Sequence, residues 1–198
     1  MKGYMRIVVL AALFCVSAFA RGNDRTGADE TEFVLVEAES FVQKGGWCVD
    51  QQFMDQMGSP YLIAHGMGVP VEDATTSVQL KKGLWNVWVR TYNWTSPWTD
   101  KEGPGAFSLS VGGKALKTVL GTTGSEWGWQ HAGAVKVRGG KTEIRLHDLT
   151  GFDGRCDAVL LVSGASLPTS GEGLAEFRKG LSGAVAPARE KFDFVVVG

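Results

Sequence analysis

The chain has 198 residues, 44% of them hydrophobic and 21% charged, with a formal net charge of −1. That is the composition of a folded domain of ordinary size, not of a disordered chain, and its near-neutrality excludes the basic footprint needed by a nucleic-acid or anionic-membrane binder. The unusual counts are 27 Gly and 7 Trp; glycine at that level without a repeat points to many turns, and the tryptophans need their own explanation.

Residues 1–20, MKGYMRIVVLAALFCVSAFA, read as a secretory signal peptide. Lys2 and Arg6 form the positive start, Ile7 to Val16 the apolar stretch, and Ala18-Phe19-Ala20 the small-x-small cleavage site. The apolar stretch is short for a membrane span. Cys15 stands where a lipoprotein cysteine would, but Phe14 before it is bulky where a small residue is wanted. The expectation is therefore ordinary export, to the periplasm or the medium, with a lipid or uncleaved anchor as the alternative. Cleavage lowers the net charge by two, to −3, since the leader holds two basic and no acidic residues. Residues 21–31 then form a polar, disordered N-terminus. Two cysteines remain, Cys48 and Cys156. An oxidising compartment permits a disulfide, which would close a loop of roughly 100 residues and contribute ~4.7 kcal/mol in the chain-entropy model. Two buried thiols are the alternative, because sequence does not show whether the Cβ atoms face each other.

From 32 to 163 the apolar pattern has period two. Phe33, Leu35, Glu37 and Glu39 alternate with Val34, Val36 and Ala38; Trp85, Val87, Val89 and Thr91 alternate with Asn86, Trp88 and Arg90. Phe107, Leu109 and Val111 share a face, as do Val135 and Val137, while Ile144 and Leu146 oppose Glu143, Arg145 and His147. Asp157 to Ser163 reads as a nearly fully buried strand. Glycine-bearing turns at Lys82-Gly83, Gly112-Gly113 and Gly139-Gly140 separate these runs. Eight or nine short strands with no long amphipathic helix predict an all-β antiparallel sandwich of the jelly-roll kind. Residues 50–74 break the rhythm with one helical turn near Gln51–Met57 and a long connection of the functional or end-covering type.

Beyond Ser163 the character changes. Residues 164–191 read as a linker carrying a short helix over Leu174 to Leu181, and residues 192–198, FDFVVVG, as an apolar strand of a parallel sheet. The expectation is that this strand opens a second, α/β domain, cut short at Gly198. A glycine in that place begins the G-x-G-x-x-G loop that binds a dinucleotide, but only if the chain continues with the other two.

Two clusters carry the candidate chemistry. Trp94 and Trp98 sit in the loop NWTSPWTDKEGPG, and Trp127 and Trp129 alternate in SEWGWQHAG, followed by His131. Indoles among amides and carboxylates suit a sugar, whose C–H face lies on the ring while its hydroxyls bond the polar groups. Trp127 and Trp129, two apart on a strand, would form a platform; the alternative is that these rings are lids closing the core, as Trp47, Trp85 and Trp88 are expected to be. The second cluster is Glu37 and Glu39 on one face of the first strand, near Asp157 at the start of the last. Three carboxylates with backbone carbonyls suit Ca²⁺, and simple pairing with Lys or Arg is the alternative. Neither a nucleophile elbow, a Walker loop, HExxH nor a CxxC pair is present, which leaves a stand-alone lyase or esterase as the weakest reading.

The motifs VEAES (36–40), GLWNVWVR (83–90), the Gly112-Gly113 hairpin and CDAVLL (156–161) resemble carbohydrate-binding modules of the galactose-binding-like CBM6/CBM35 kind. That resemblance implies a jelly roll, a structural Ca²⁺ on Glu37, Glu39 and Asp157, and a glycan site served by Trp94, Trp98, Trp127, Trp129 and His131. Residues 45–68 and 146–158, with the FDFVVVG ending, further resemble the N-terminal region of secreted bacterial FAD-dependent oxidoreductases, a group also called xanthan lyases. This implies a non-catalytic module that holds a poly- or oligosaccharide, with FAD bound by a flavin domain downstream in the same polypeptide. The alternative is a structural domain that docks on that flavin domain and shapes its active site.

Overall fold

The computed structural model describes residues 31–181. The signal peptide, most of the polar N-terminus and the segment 192–198, with Gly198, lie outside these residues. The strands run β1 (Phe33–Glu37), β2 (Cys48–Asp50), β3 (Tyr61–His65), β4 (Ala74–Leu80), β5 (Gly83–Thr91), β6 (Phe107–Val111), β7 (Lys114–Ala115), β8 (Gly128–Val137), β9 (Gly140–Asp148), β10 (Phe152–Cys156) and β11 (Ala158–Val162). The α-helices are α1 (Met54–Met57) and α2 (Leu174–Leu181). They form three sheets, ordered β1-β11-β5-β8, β10-β3-β2 and β4-β9-β6-β7, and every pairing is antiparallel.

Period two decides which side chains go inside. Val87, Val89, Val159 and Leu161 from the first sheet meet Phe107, Leu109, Val111, Ile144 and Leu146 from the third, with Leu62, Ala64 and Cys156 from the second completing one core. This is the expected antiparallel sandwich with a short C-terminal helix. Two glycine pairs make its tight turns: Gly112 and Gly113, with φ of 57° and 75°, close the β6–β7 hairpin, and Gly139 and Gly140, with φ of 88° and 93°, carry the chain from β8 in the first sheet to β9 in the third. Side chains at these left-handed positions would be strained.

Three local expectations need correction. Glu39 is not on a strand: β1 ends at Glu37, and Ala38–Ser40 form a 3₁₀ turn that carries Glu39. Trp88 does not enter the main core. It lies three residues from Trp85, so alternation points it to the opposite face, where it packs with Leu35, Leu160 and Trp129. The disulfide is absent, and both Cys48 and Cys156 are free thiols. Cys48 pairs with Ile63 on one side of β3, and Cys156 with Leu62 on the other. Two strand spacings separate them, about 9.6 Å, which exceeds the roughly 7 Å reach of a disulfide between Cα atoms.

The segment 164–181, read as a linker, is docked. Leu174, Phe177, Arg178 and Leu181 recur at helical spacing, and Phe177 and Leu181 pack on Leu35, Ala158 and Leu160, on the outer face of the first sheet. Phe177 meets Phe33 edge-on at 6.0 Å.

Phe107 is fully buried and meets Trp47 edge to face at 5.6 Å. Phe107→Ala should lower the unfolding free energy in urea by about 3–5 kcal/mol. Val42→Ala, at a side chain that is 74% exposed, should change it by less than about 0.5 kcal/mol.

Candidate functional site

The end of the sandwich where β5 gives way to a loop is the richest in polar and aromatic side chains. Asn93, nearly buried, fixes that loop. Its Oδ1 accepts from the Thr95 backbone N–H (3.0 Å) and hydroxyl (2.7 Å), and its Nδ2 donates to the Lys101 carbonyl (3.1 Å). Gly103 is required where it stands, since a Cβ there would collide with the Asn93 amide. The Gly103 N–H donates to the Thr122 carbonyl (2.8 Å) and the Asn93 N–H to the Gly124 carbonyl (3.0 Å), tying this loop to the one before β8. Between them lies a cleft of about 280 Å³ whose lining includes Ser96, Thr99, Asp100, Glu102, Thr122 and Thr123.

In the same loop two indoles pack edge-on against each other. Trp94 Nε1 donates to the Phe152 carbonyl (3.0 Å), and the Arg155 guanidinium lies over its ring at 5.2 Å. Trp98 meets Trp94 edge-on, with centroids 6.3 Å apart and an interplanar angle of 72°. Trp98 is 76% exposed, one residue from Thr99 of the cleft.

The other predicted ligand residues lie elsewhere. Trp127 is only 9% exposed, packed at 4.7 Å on Tyr92, 5.0 Å on Tyr61 and 5.9 Å on Phe53, and is a lid on the core. The expected platform with Trp129 does not form, because β8 begins at Gly128 and Trp127 precedes the strand. Trp129 faces out from the first sheet, beneath the 164–181 segment, and donates to the Thr169 carbonyl (2.7 Å). His131 sits beside Trp88 on the same face (4.7 Å) with its Nε2 3.1 Å from Asn86 Oδ1. Five residues expected together thus occupy three places.

The carboxylates do converge, because β1 pairs with β11 and brings Glu37 opposite Ala158. Guanidiniums partner Asp157 and Glu37, while Glu39 Oε2 is buried with no hydrogen-bond partner among the described residues. Asp157, fully buried, accepts at Oδ2 from Arg90 Nη1 (2.9 Å) and Arg178 Nη2 (2.5 Å). Arg178 Nη2 also reaches Glu37 Oε2 (2.7 Å), and its Nη1 donates to the Met57 carbonyl (2.6 Å). This arrangement does not fit the expected Ca²⁺: a cation at Asp157 would compete with two guanidiniums already hydrogen-bonded there. Among the described residues no group of three or more His, Cys, Asp or Glu side chains is placed to hold a metal ion. The pairing with arginine, left open by the sequence, is observed for Glu37 and Asp157. Arg178 was legible in principle, as the one charged residue on the buried face of an amphipathic helix.

A Ser–His–Asp row also occurs on the outer face of the third sheet. His147 Nε2 lies 3.0 Å from Ser110 Oγ and its Nδ1 3.0 Å from Asp73 Oδ2. Ser110 sits in mid-strand, paired with Arg145 on β9 and Ala115 on β7. Its local amides belong to the ladders and cannot form the oxyanion hole acyl transfer requires, so this row is a polar ladder on an exposed sheet.

Against known proteins, no family model matches the chain and no curated protein matches it. Solved structures do. A family 35 carbohydrate-binding module from Clostridium thermocellum aligns at TM-score 0.53 and 19% identity, over 67% of this chain and 99% of the module. A GH26-CBM35 β-(1,4)-mannanase from Podospora anserina aligns at TM-score 0.53 and 18% identity, over 69% of this chain and 28% of the enzyme. A Paenibacillus xanthan lyase aligns at TM-score 0.51 and 18% identity, over 67% of this chain and 13% of the lyase. The chain therefore shares the fold of these modules while spanning a small part of the two enzymes.

Removing Arg178 leaves Asp157 and Glu37 short of a partner. Arg178→Ala should cost about 3–5 kcal/mol in chemical denaturation, while EDTA should leave the melting temperature of the unaltered protein unchanged. Burial raises Glu37 and Glu39 to about 7 from 4.5. The folded state then holds protons that the unfolded chain has released. The stability these groups contribute is complete below about pH 4.5 and declines as pH rises through 7. The melting temperature should fall across that window, with a shallower slope in Glu39→Gln.

Proposed function

We propose that this domain is a non-catalytic carbohydrate-binding accessory module, and that its glycan contact is the loop-end cleft beside Trp98. The observation that carries this reading is an exposed indole on a braced support, next to a cleft lined by hydroxyls and carboxylates. The bracing matters because a pre-positioned ring loses little freedom on binding. A sugar ring lies on the Trp98 face while Thr99, Asp100, Glu102 and Thr122 accept or donate to its hydroxyls. The shared fold with family 35 modules supports the same reading.

In this reading the protein is exported, as its first twenty residues suggest, and tethers a poly- or oligosaccharide near a flavin domain of the same polypeptide. Weak contacts suffice for tethering, since linkage supplies a high effective concentration. The flavin context rests on the sequence resemblance alone.

A second reading, docking on a neighbouring domain, is favoured by one feature. Met67, Val69 and Phe152 are 83%, 69% and 49% exposed, and Gly68 between the first two lies against the Phe152 ring. This apolar patch adjoins Trp94 through the Phe152 carbonyl.

Titrating a panel of neutral oligosaccharides should change the tryptophan fluorescence with millimolar to micromolar affinity. Trp98→Ala should abolish that response with an unchanged melting temperature, whereas Trp127→Ala should lower the melting temperature. A panel that gives no change would contradict the carbohydrate reading and favour docking.

A further inference from the structure

We propose that the opposite end of the sandwich carries an anion-binding pocket for the carboxylate or sulfate substituents of an acidic polysaccharide. It deepens the reading above: it takes the class of polymer from it, but the site is separate. β5 runs from Gly83, opposite Val137, to Thr91, opposite Gly128. The Gly139-Gly140 turn therefore lies at the far end of β5 from the Trp98 cleft, about 26 Å away at ~3.3 Å per residue.

Two glycine turns build the pocket. The Gly112-Gly113 turn between β6 and β7 packs beside Thr142, just past the Gly139-Gly140 turn between β8 and β9. Around these turns lies a pocket of about 500 Å³, lined by Lys114, Lys136, Arg138, Lys141 and Glu143 among others. Alternation explains one member: Val135 and Val137 point into the core, so Lys136 points out of the first sheet, and Arg138 follows in the connection beyond β8. Lys114 Nζ donates to the Lys136 carbonyl (3.0 Å), which holds one ammonium against the neighbouring strand.

Four cations thus line one pocket of a chain whose net charge is −1. The one carboxylate in the lining, Glu143, is already occupied, accepting from Arg145 Nη2 (2.9 Å) and Nε (3.3 Å). Like charges gathered around one pocket repel one another, and an anionic ligand relieves that repulsion while lysine and arginine supply charge-assisted hydrogen bonds. The pocket is concave and confined to one end of the domain. A nucleic-acid site instead needs an extended basic stripe to follow the phosphates.

The test measures binding of the whole protein to polygalacturonate, dextran sulfate, neutral dextran and a DNA duplex by affinity electrophoresis, at 50 mM and 500 mM NaCl. Retention by polygalacturonate or dextran sulfate, lost at high salt and weakened at least tenfold in Lys136→Ala/Lys141→Ala, supports the pocket. The polymer retained identifies carboxylate or sulfate. Lys179→Glu, which changes net charge equally but lies on α2, should retain binding. The pocket variant should keep its affinity for any neutral glycan that Trp98→Ala abolishes, so the two sites fail separately. No retention by either acidic polymer, retention unaffected by the double substitution, equal weakening by Lys179→Glu, or tighter retention by DNA would each overturn the proposal.

Discussion

A buried ion cluster ties the distant parts of this domain together. Glu37 closes the first strand, Arg90 is the last residue but one of the long strand β5, Asp157 joins the last two strands, and Arg178 projects from the C-terminal helix. Taking such charges out of water is expensive, and their attraction in the interior barely repays it. What the cluster confers is position. Arg178 has two carboxylates and the Met57 carbonyl to satisfy, which fixes where α2 sits on the sheet. Trp129, Phe177 and Leu181 are covered as a consequence.

The same cluster reaches toward the loop end. Arg90 lies 6.0 Å from the Trp127 ring, and Trp127 closes the core with Tyr61 and Tyr92. Thr91, next along, donates its hydroxyl to the Arg155 carbonyl (2.5 Å), and Arg155 in turn lies over Trp94. A continuous set of packed groups therefore runs from the ion cluster to the indole pair. Trp98 at the end of it is exposed, while the support beneath it is held by Asn93, Trp94 and Arg155.

Much of the architecture was legible because period two is a direct consequence of strand geometry. Phe107, Leu109 and Val111 could be assigned to one buried face from spacing alone, and the glycine turns fell between strands, Gly112-Gly113 within a hairpin and Gly139-Gly140 where the chain passes from one sheet to another. The site was less legible. Alternation ends where a strand ends, so Trp127 and Trp129, two apart in sequence, separate at the start of β8 into a core lid and an outward ring. Glu37, Glu39 and Asp157 were rightly brought together, since first and last strands are neighbours. The partners of Glu37 and Asp157 are Arg90 and Arg178, 53 and 141 positions from Glu37 along the chain, and nothing local signals such pairings. The cysteines show the same limit: either thiol alone suits an oxidised bond, and only the strand order places β3 between them.

The central claim is that a sugar lies on the Trp98 ring over the adjoining cleft. A ¹H–¹⁵N correlation titration of the isotopically labelled protein with an oligosaccharide that it binds tests this most directly. The account predicts shifts at the Trp98 indole N–H and at backbone amides within 95–102 and 122–125, with the Trp127 indole unmoved. Shifts confined to the outer face around His131 and Trp129, with the Trp98 signal unchanged, would contradict it.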